Sequence, residues 1–446
     1  MHRVRYTFSR ELVGKILDGM MQKITIDYEA SGLHDLAELE NLVGVHASLL
    51  SARDTQKYEA PFSFVHLPFD RAYFSRVHAC AVDKQVLDCA AVVVIGIGGS
   101  SLGLHAILEA LHGANECEAS QVYFADTLDP FETSSLLQLV EKKLAKSERI
   151  LLVVISKTGA TLESVVHYAV FSALLRRYHP SDYHQYMVII SDEHAALADH
   201  ARQKKITFLP IPEPIGGRYS VFTAVGMFVC ALCGLDIEQL RLGACSAIEQ
   251  LFTNSLEKND AALSALCMYN HYRQGDWILD YFVFLKSFSG IGAWYRQLVG
   301  ESLGKERIDK TLCKLVPTVS VGSNDLHAIV QLYLGGLPPM FTQFVTCQQY
   351  IKDVPICVSD FGKNVSHHTY GSLMNVLFQA TKRAYDERKR SYVIIRLPEN
   401  SSFYVGQLLQ FHMVQVVYLG TLLGVNTFDQ PHVELYKKYT RQLINL

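Results

Sequence analysis

Four short segments of this 446-residue chain carry residues whose types and spacing could do chemistry. In Ala91 to Gly103, AVVVIGIGGSSLG, an apolar run enters a glycine-rich turn bearing Ser100 and Ser101, and a helical pattern follows. Strand, glycine turn and helix start together aim backbone N–H groups at one spot, which suits a phosphate. A dinucleotide site competes for the same residues, because Gly96-x-Gly98 begins that fingerprint and Asp126 ends the next strand-like run. Position 101, however, is serine where the fingerprint needs its third glycine.

Ser156-Lys157-Thr158-Gly159-Ala160-Thr161 follows the apolar run RILLVVI and precedes a helix expected near Leu162. Ordinary capping accounts for a hydroxyl or two at a helix start, but a lysine there opposes the helix dipole, so the segment reads as a second anion cradle. Gly216-Gly217-Arg218-Tyr219-Ser220 places another cation before an apolar helix. Something negative is expected to compensate it, and a guanidinium that is always charged can stabilise an oxyanion.

Gly300-Glu301-Ser302-Leu303-Gly304-Lys305 is one residue short of a nucleotide P-loop, and Glu306 replaces the hydroxyl that would hold magnesium. Glu301 therefore reads as a general base on backbone that a substrate can approach, with a solvated loop acid as the plain alternative. His327, in VGSNDLHAIVQL, is expected early in a helix, and Lys437 forms an i, i+3 pair with Glu434 that a surface helix would carry without any function. His367 and His368 lack a carboxylate at ligand spacing, Cys230 and Cys233 lie in an apolar helical run without a second pair, and there is no G-x-S-x-G. Metal, redox and simple hydrolase readings are accordingly disfavoured.

The elements that must position these residues follow from the apolar pattern. Residues 6–50 repeat Leu12, Ile16, Met20 and Ile24 at helical spacing, which predicts an N-terminal helical arm over 1–60. Beyond it, AVVVIGIG, QVYFAD, RILLVVIS, YMVIIS and ITFLPI alternate with amphipathic stretches, the rhythm of a parallel α/β sheet. Loops after the strands' carboxyl ends should then share one edge, where ligands bind. PIPEPIGGR breaks regular structure and marks a boundary, giving units 61–213 and 214–446; the second repeats the theme with WILDYFVF, LVPTVSVG, MFTQFVTC and SYVIIRL. A net charge of −3 with mixed signs gives no stripe for nucleic acid. The first residues lack an apolar leader, and no apolar stretch reaches the ~20 residues of a membrane span, so a cytoplasmic location is expected.

Taken together the segments resemble the glucose-6-phosphate isomerase (phosphoglucose isomerase) family. GIGGSSLG, SKTGATLES, EPIGGRYSVFTAVG, QLVGESLGKE, and GVNTFDQ followed by VELYKK occur in the family's order, from about Val92 to Lys437. The resemblance implies an α/β fold of two α-β-α sandwich sugar isomerase (SIS) domains with largely parallel sheets plus terminal helices. It also implies isomerisation of glucose 6-phosphate and fructose 6-phosphate through ring opening and a cis-enediol(ate), in glycolysis and gluconeogenesis, with no cofactor and no metal. Under it, Glu301 is the base and Arg218 stabilises the enediolate. His327 opens the ring from the neighbouring subunit of a homodimer, and Lys437 assists at the ring oxygen. Ser156, Lys157, Thr158 and Thr161 hold the phosphate, while Ser100, Gln297 and Gln430 touch the sugar. Two further readings stay open: an isomerase that also accepts mannose 6-phosphate, and a sugar-phosphate sensor without chemistry. One departure is His432, where the family usually has glycine, which bears on the pose of Gln430 and Lys437.

Overall fold

The computed structural model describes residues 23–55, 57–113, 121–253, 255–357 and 365–444. Most of the expected N-terminal arm, residues 1–22, lies outside them. The described part opens with strand β1 (Thr25–Asp27), not a helix, followed by α1 (Val43–Asp54) and α2 (Arg71–Gln85). The helical spacing around Ile24 is overridden by long-range pairing, because Thr25 to Asp27 lie antiparallel to Arg396, Ile395 and Ile394.

The first sheet is built from β2 (Ala91–Ile95), β3 (Gln121–Ala125), β4 (Ile150–Ile155), β5 (Met187–Asp192) and β6 (Thr207–Ile211). Its strands run parallel in the order β3-β2-β4-β5-β6. Every residue of β2 and β4 is buried, as expected for β-branched runs covered on both faces. Connecting them are α3 (Leu102–His112), α4 (Pro130–Ala145), α5 (Leu162–Tyr178) and α6 (Ala196–Lys204). Local chemistry fixes their starts: Asp129 accepts hydrogen bonds from the N–H groups of Phe131 and Glu132, with Pro130 at the first position of α4.

A helical stretch follows, α7 (Ala224–Leu232), α8 (Ile237–Thr253) and α9 (Asp260–Gln274), and then the second sheet. The latter comprises β7 (Ile278–Val283), α10 (Ser289–Leu303), β8 (Val316–Val321), β9 (Met340–Gln349), α11 (Tyr370–Glu387), β10 (Tyr392–Glu399) and its following helix α12 (Ser402–Leu423). Strand order is β1-β10-β9-β7-β8, parallel except for β1. Helix α12 packs against α8 and α9 and is buried nearly all round. The last helix, α13 (Val433–Leu443), has no buried residue.

One contact between the halves matters most for the site. Helix α3, after β2, packs against α10, after β7. Ser289 at the start of α10 donates to Glu109 near the end of α3 (2.5 Å), while Gln297, two turns on, approaches Gly98 just before α3. The two helices are thus antiparallel, and Gln297, one turn before Glu301, reaches the glycine loop.

Candidate active site

Five segments meet at the carboxyl edge of the first sheet. Gly98 to Ser100 form a 3-10 turn after β2, with Gly98 at φ +61°. A methyl group at Gly99 would come 2.4 Å from the carbonyl carbon of Gly217, so the loop after β2 and the loop after β6 touch backbone to backbone. Only glycine permits that approach. The Ser220 hydroxyl donates to the carbonyls of Gly217 (2.7 Å) and Gly99 (3.3 Å), tying the loops together.

The segment after β4 joins them through Lys157. Its ammonium donates to the carbonyls of Glu213 (2.6 Å) and Ile215 (3.0 Å), and burial pulls its pKa below the ordinary lysine value against the pull of Asp192 and Glu213. Ser156 is buried and its hydroxyl accepts from the N–H of Gly159 (3.2 Å). Thr158 is exposed, and Thr161 stands at the N-cap of α5 without a side-chain capping bond. Hydroxyls, a partly desolvated ammonium and the start of a 17-residue helix are therefore gathered in one place, a combination that favours an anion.

Arg218, in the 3-10 turn Gly217–Tyr219, is only 2% exposed. Its Nε donates to the Ser302 hydroxyl (2.8 Å), Nη1 to Gln430 Oε1 (2.6 Å) and Glu301 Oε2 (3.4 Å), and Nη2 to the carbonyls of Thr427 (2.5 Å) and Asp429 (3.1 Å). The negative partner expected for this cation is thus Glu301 together with backbone carbonyls. Glu301 lies in the last turn of α10 with its side chain 36% exposed, so its carboxylate is held yet reachable. Gln297, one turn earlier, donates from Nε2 to Glu301 Oε1 (3.0 Å), while its own Oε1 is buried with no hydrogen-bond partner among the described residues. A carboxylate pinned at both oxygens beside a guanidinium can take a carbon-bound proton and have the resulting oxyanion neutralised.

Sequence reasoning missed what holds Arg218. Lys305 is buried, and its Nζ donates to the Asn426 carbonyl (2.8 Å), the Asp429 carbonyl and Asp429 Oδ1 (2.7 Å), clamping the loop that carries Gln430. Burial lowers its pKa, opposed chiefly by the Asp429 hydrogen bond. The only sequence signal was that Lys305 sits four residues after Glu301.

Two expected residues are not brought to this cluster. His327 is exposed and follows the 3-10 turn Asn324–Leu326 after β8, so the helix expected there is a tight turn. The turn forms because Asp325 Oδ2 accepts from the N–H of Val321 (2.6 Å), folding the chain back on the strand end. Lys437, on α13, donates to Glu434 (2.8 Å), the i, i+3 pair anticipated from the sequence. His432 sits at φ −76°, ψ −20°, ordinary right-handed helical geometry, so the backbone at this position does not require glycine. Among the described residues no helix is long and apolar enough to cross a membrane.

Comparison with known proteins adds a family to this geometry. The sequence model for Phosphoglucose isomerase matches residues 73–445. A glucose-6-phosphate isomerase of Methanocaldococcus jannaschii is 32% identical over 353 residues, 79% of this chain and 84% of the relative. One from Rubrobacter xylanophilus is 30% identical over 435 residues, 94% of this chain and 98% of its own. Among solved structures, a hypothetical protein from Thermus thermophilus superposes with a TM-score of 0.82 at 27% identity, covering 94% of this chain and 99% of that one. A glucose-6-phosphate isomerase from Chlamydia trachomatis superposes at 0.81 with 19% identity, covering 96% of this chain and 89% of that one, which speaks to the shared fold.

Proposed function

This chain belongs to the phosphoglucose isomerase family and interconverts glucose 6-phosphate and fructose 6-phosphate, and we propose that Glu301 is the base of that reaction. With the sugar ring open, Glu301 takes the proton from carbon two, and the electrons left behind form a cis-enediolate. Arg218 stabilises its oxygen. The proton returns to carbon one while the hydroxyl proton passes from the oxygen on carbon two to that on carbon one, giving the ketose. The pinned Glu301 carboxylate, between Gln297 and Arg218 at the end of α10, is the observation that carries this reading.

Ser156, Lys157, Thr158 and Thr161 hold the phosphate in this scheme, supported by their hydroxyls and the desolvated ammonium at the start of α5. Ser100, Gln297 and Gln430 contact the sugar. His327 and Lys437 act in ring opening, His327 from the neighbouring subunit of a cytoplasmic homodimer; its exposure on its own chain agrees with that assignment. The division of the chain at 213/214 into two sugar isomerase units, with the arm 1–60 before them, belongs to the same proposal.

The test is conversion of fructose 6-phosphate to glucose 6-phosphate by purified protein, read through a coupled dehydrogenase. Glu301→Gln should lower kcat by about 10²–10⁴-fold, the usual worth of a general base, while phosphosugar binding persists. Near-normal turnover in that variant removes Glu301 as the base.

A further inference from the structure

The two sheets are wound alike, and the reaction uses only one of their switch points. In the first, the chain leaves β2 for β3 on one side and β4 for β5 on the other, so the loops after β2 and β4 part. Those loops carry Ser100 and the Ser156–Thr161 cradle. In the second, the chain leaves β7 for β8 and β9 for β10, so the loops after β7 and β9 part in the same way.

A crevice of about 560 Å³ lies there, between the segments that follow β7, β9 and β10 and the C-terminal end of α3 at residues 110–113. That volume falls within the roughly 300–1,000 Å³ of small-molecule sites. It is distinct from the site around Glu301, because α10 begins at Ser289, just past Lys286 and Ser287 on the crevice wall, and carries Glu301 in its last turn. A helix of that length separates them by about 20 Å.

The lining points to a particular chemistry. Lys286 is exposed and makes no hydrogen bond or ion pair among the described residues. Ser401 stands at the N-cap of α12 without a side-chain capping bond, and Ser401 and Ser402 both line the crevice at the positive end of a 22-residue helix. The carboxylate on the wall, Asp353, is engaged by three donors: the Thr369 hydroxyl (2.6 Å), the N–H of Gly371 (2.9 Å) and that of Val354 (2.8 Å). Much of the remaining surface is apolar or aromatic, including Phe284, Leu285, Tyr350 and Met374.

We propose that this crevice is a second ligand site, one that takes a small phosphomonoester with an apolar or aromatic body. The phosphate lies against Lys286 and the start of α12, and the body against Phe284, Leu285, Tyr350 and Met374. The site stands apart from catalysis, so its occupant need not resemble the sugar substrate.

Phenyl phosphate titrated into the full chain, followed by calorimetry, tests this. The expected result is two equivalents bound per chain, of which excess fructose 6-phosphate displaces one. The other should weaken at least tenfold in Lys286→Glu, which reverses the charge, and in Met374→Trp, which fills the crevice. Isomerase kcat and KM should be unchanged in both. A single equivalent wholly displaced by fructose 6-phosphate overturns the proposal, as does a second equivalent that persists in either variant.

Discussion

At the scale of single residues, Arg218 shows how a buried cation is made tolerable. All three of its nitrogens donate, to one carboxylate, one amide, one hydroxyl and two carbonyls, which satisfies a group that would otherwise cost several kcal/mol to bury. A lysine offers a point charge on a flexible stem and cannot reach three directions at once. Arg218→Lys is therefore expected to lower kcat by about 10²–10³-fold, the typical worth of one oxyanion donor, with a smaller effect on KM; steady-state kinetics with fructose 6-phosphate decides it. Glu301 and Arg218 were legible because each sits beside glycines in a motif. The contacts of Asp429 and Thr427 with Arg218 were not, although both residues lie in GVNTFDQ, since those contacts span 211 and 209 residues of sequence.

At the scale of elements, strands such as β2 and β4 were readable because both faces are covered and their sequences are continuous apolar runs. Strand β1 was not, being three residues long and defined only by its pairing with β10. Helix α12 is buried nearly all round, and its interior polar chemistry was not legible in its apolar run. His412 accepts from the Tyr281 hydroxyl (2.8 Å) and pairs through Nδ1 with Gln415 Oε1 (2.8 Å), and burial pushes its pKa down to about 3. Protonation in the unfolded chain begins near pH 6.5, whereas the folded histidine stays neutral to about pH 3. Stability contributed by this neutral site is thus whole above pH 6.5 and falls with decreasing pH between those values, because the unfolded state binds the proton first. Between pH 7 and pH 5 the wild type should lose about 2 kcal/mol on this account, and His412→Gln should lack that component. Urea denaturation of both proteins at the two pH values measures it.

At the scale of the molecule, the sequence showed two α/β halves in order but not how they meet. The antiparallel packing of α3 on α10 is a contact between surfaces that each half alone would leave open, and together with the Arg218 bonds to Glu301 and Ser302 it holds the end of α10 at the site. A second such meeting, between subunits, is what the proposed role of His327 requires. Chains carrying His327→Ala and chains carrying Glu301→Gln, each inactive alone, should regain activity when mixed and allowed to exchange, in one of the two sites of each hybrid dimer. Full activity in isolated monomers would rule out shared sites.

The backbone contact between Gly99 and Gly217 has a consequence for selectivity. It leaves no side chain between the glycine turn and the loop that carries Arg218, and the Ser220 hydroxyl ties the two backbones together. The same loop after β6 takes the Lys157 ammonium on its carbonyls at Glu213 and Ile215 and carries Arg218 against Glu301, so under the proposed scheme it ties the phosphate end of the pocket to the proton-transfer end. Under that scheme a sugar whose phosphate sits one carbon nearer the reacting carbons is expected to lose kcat/KM, because it meets one end of the tied pocket at the expense of the other.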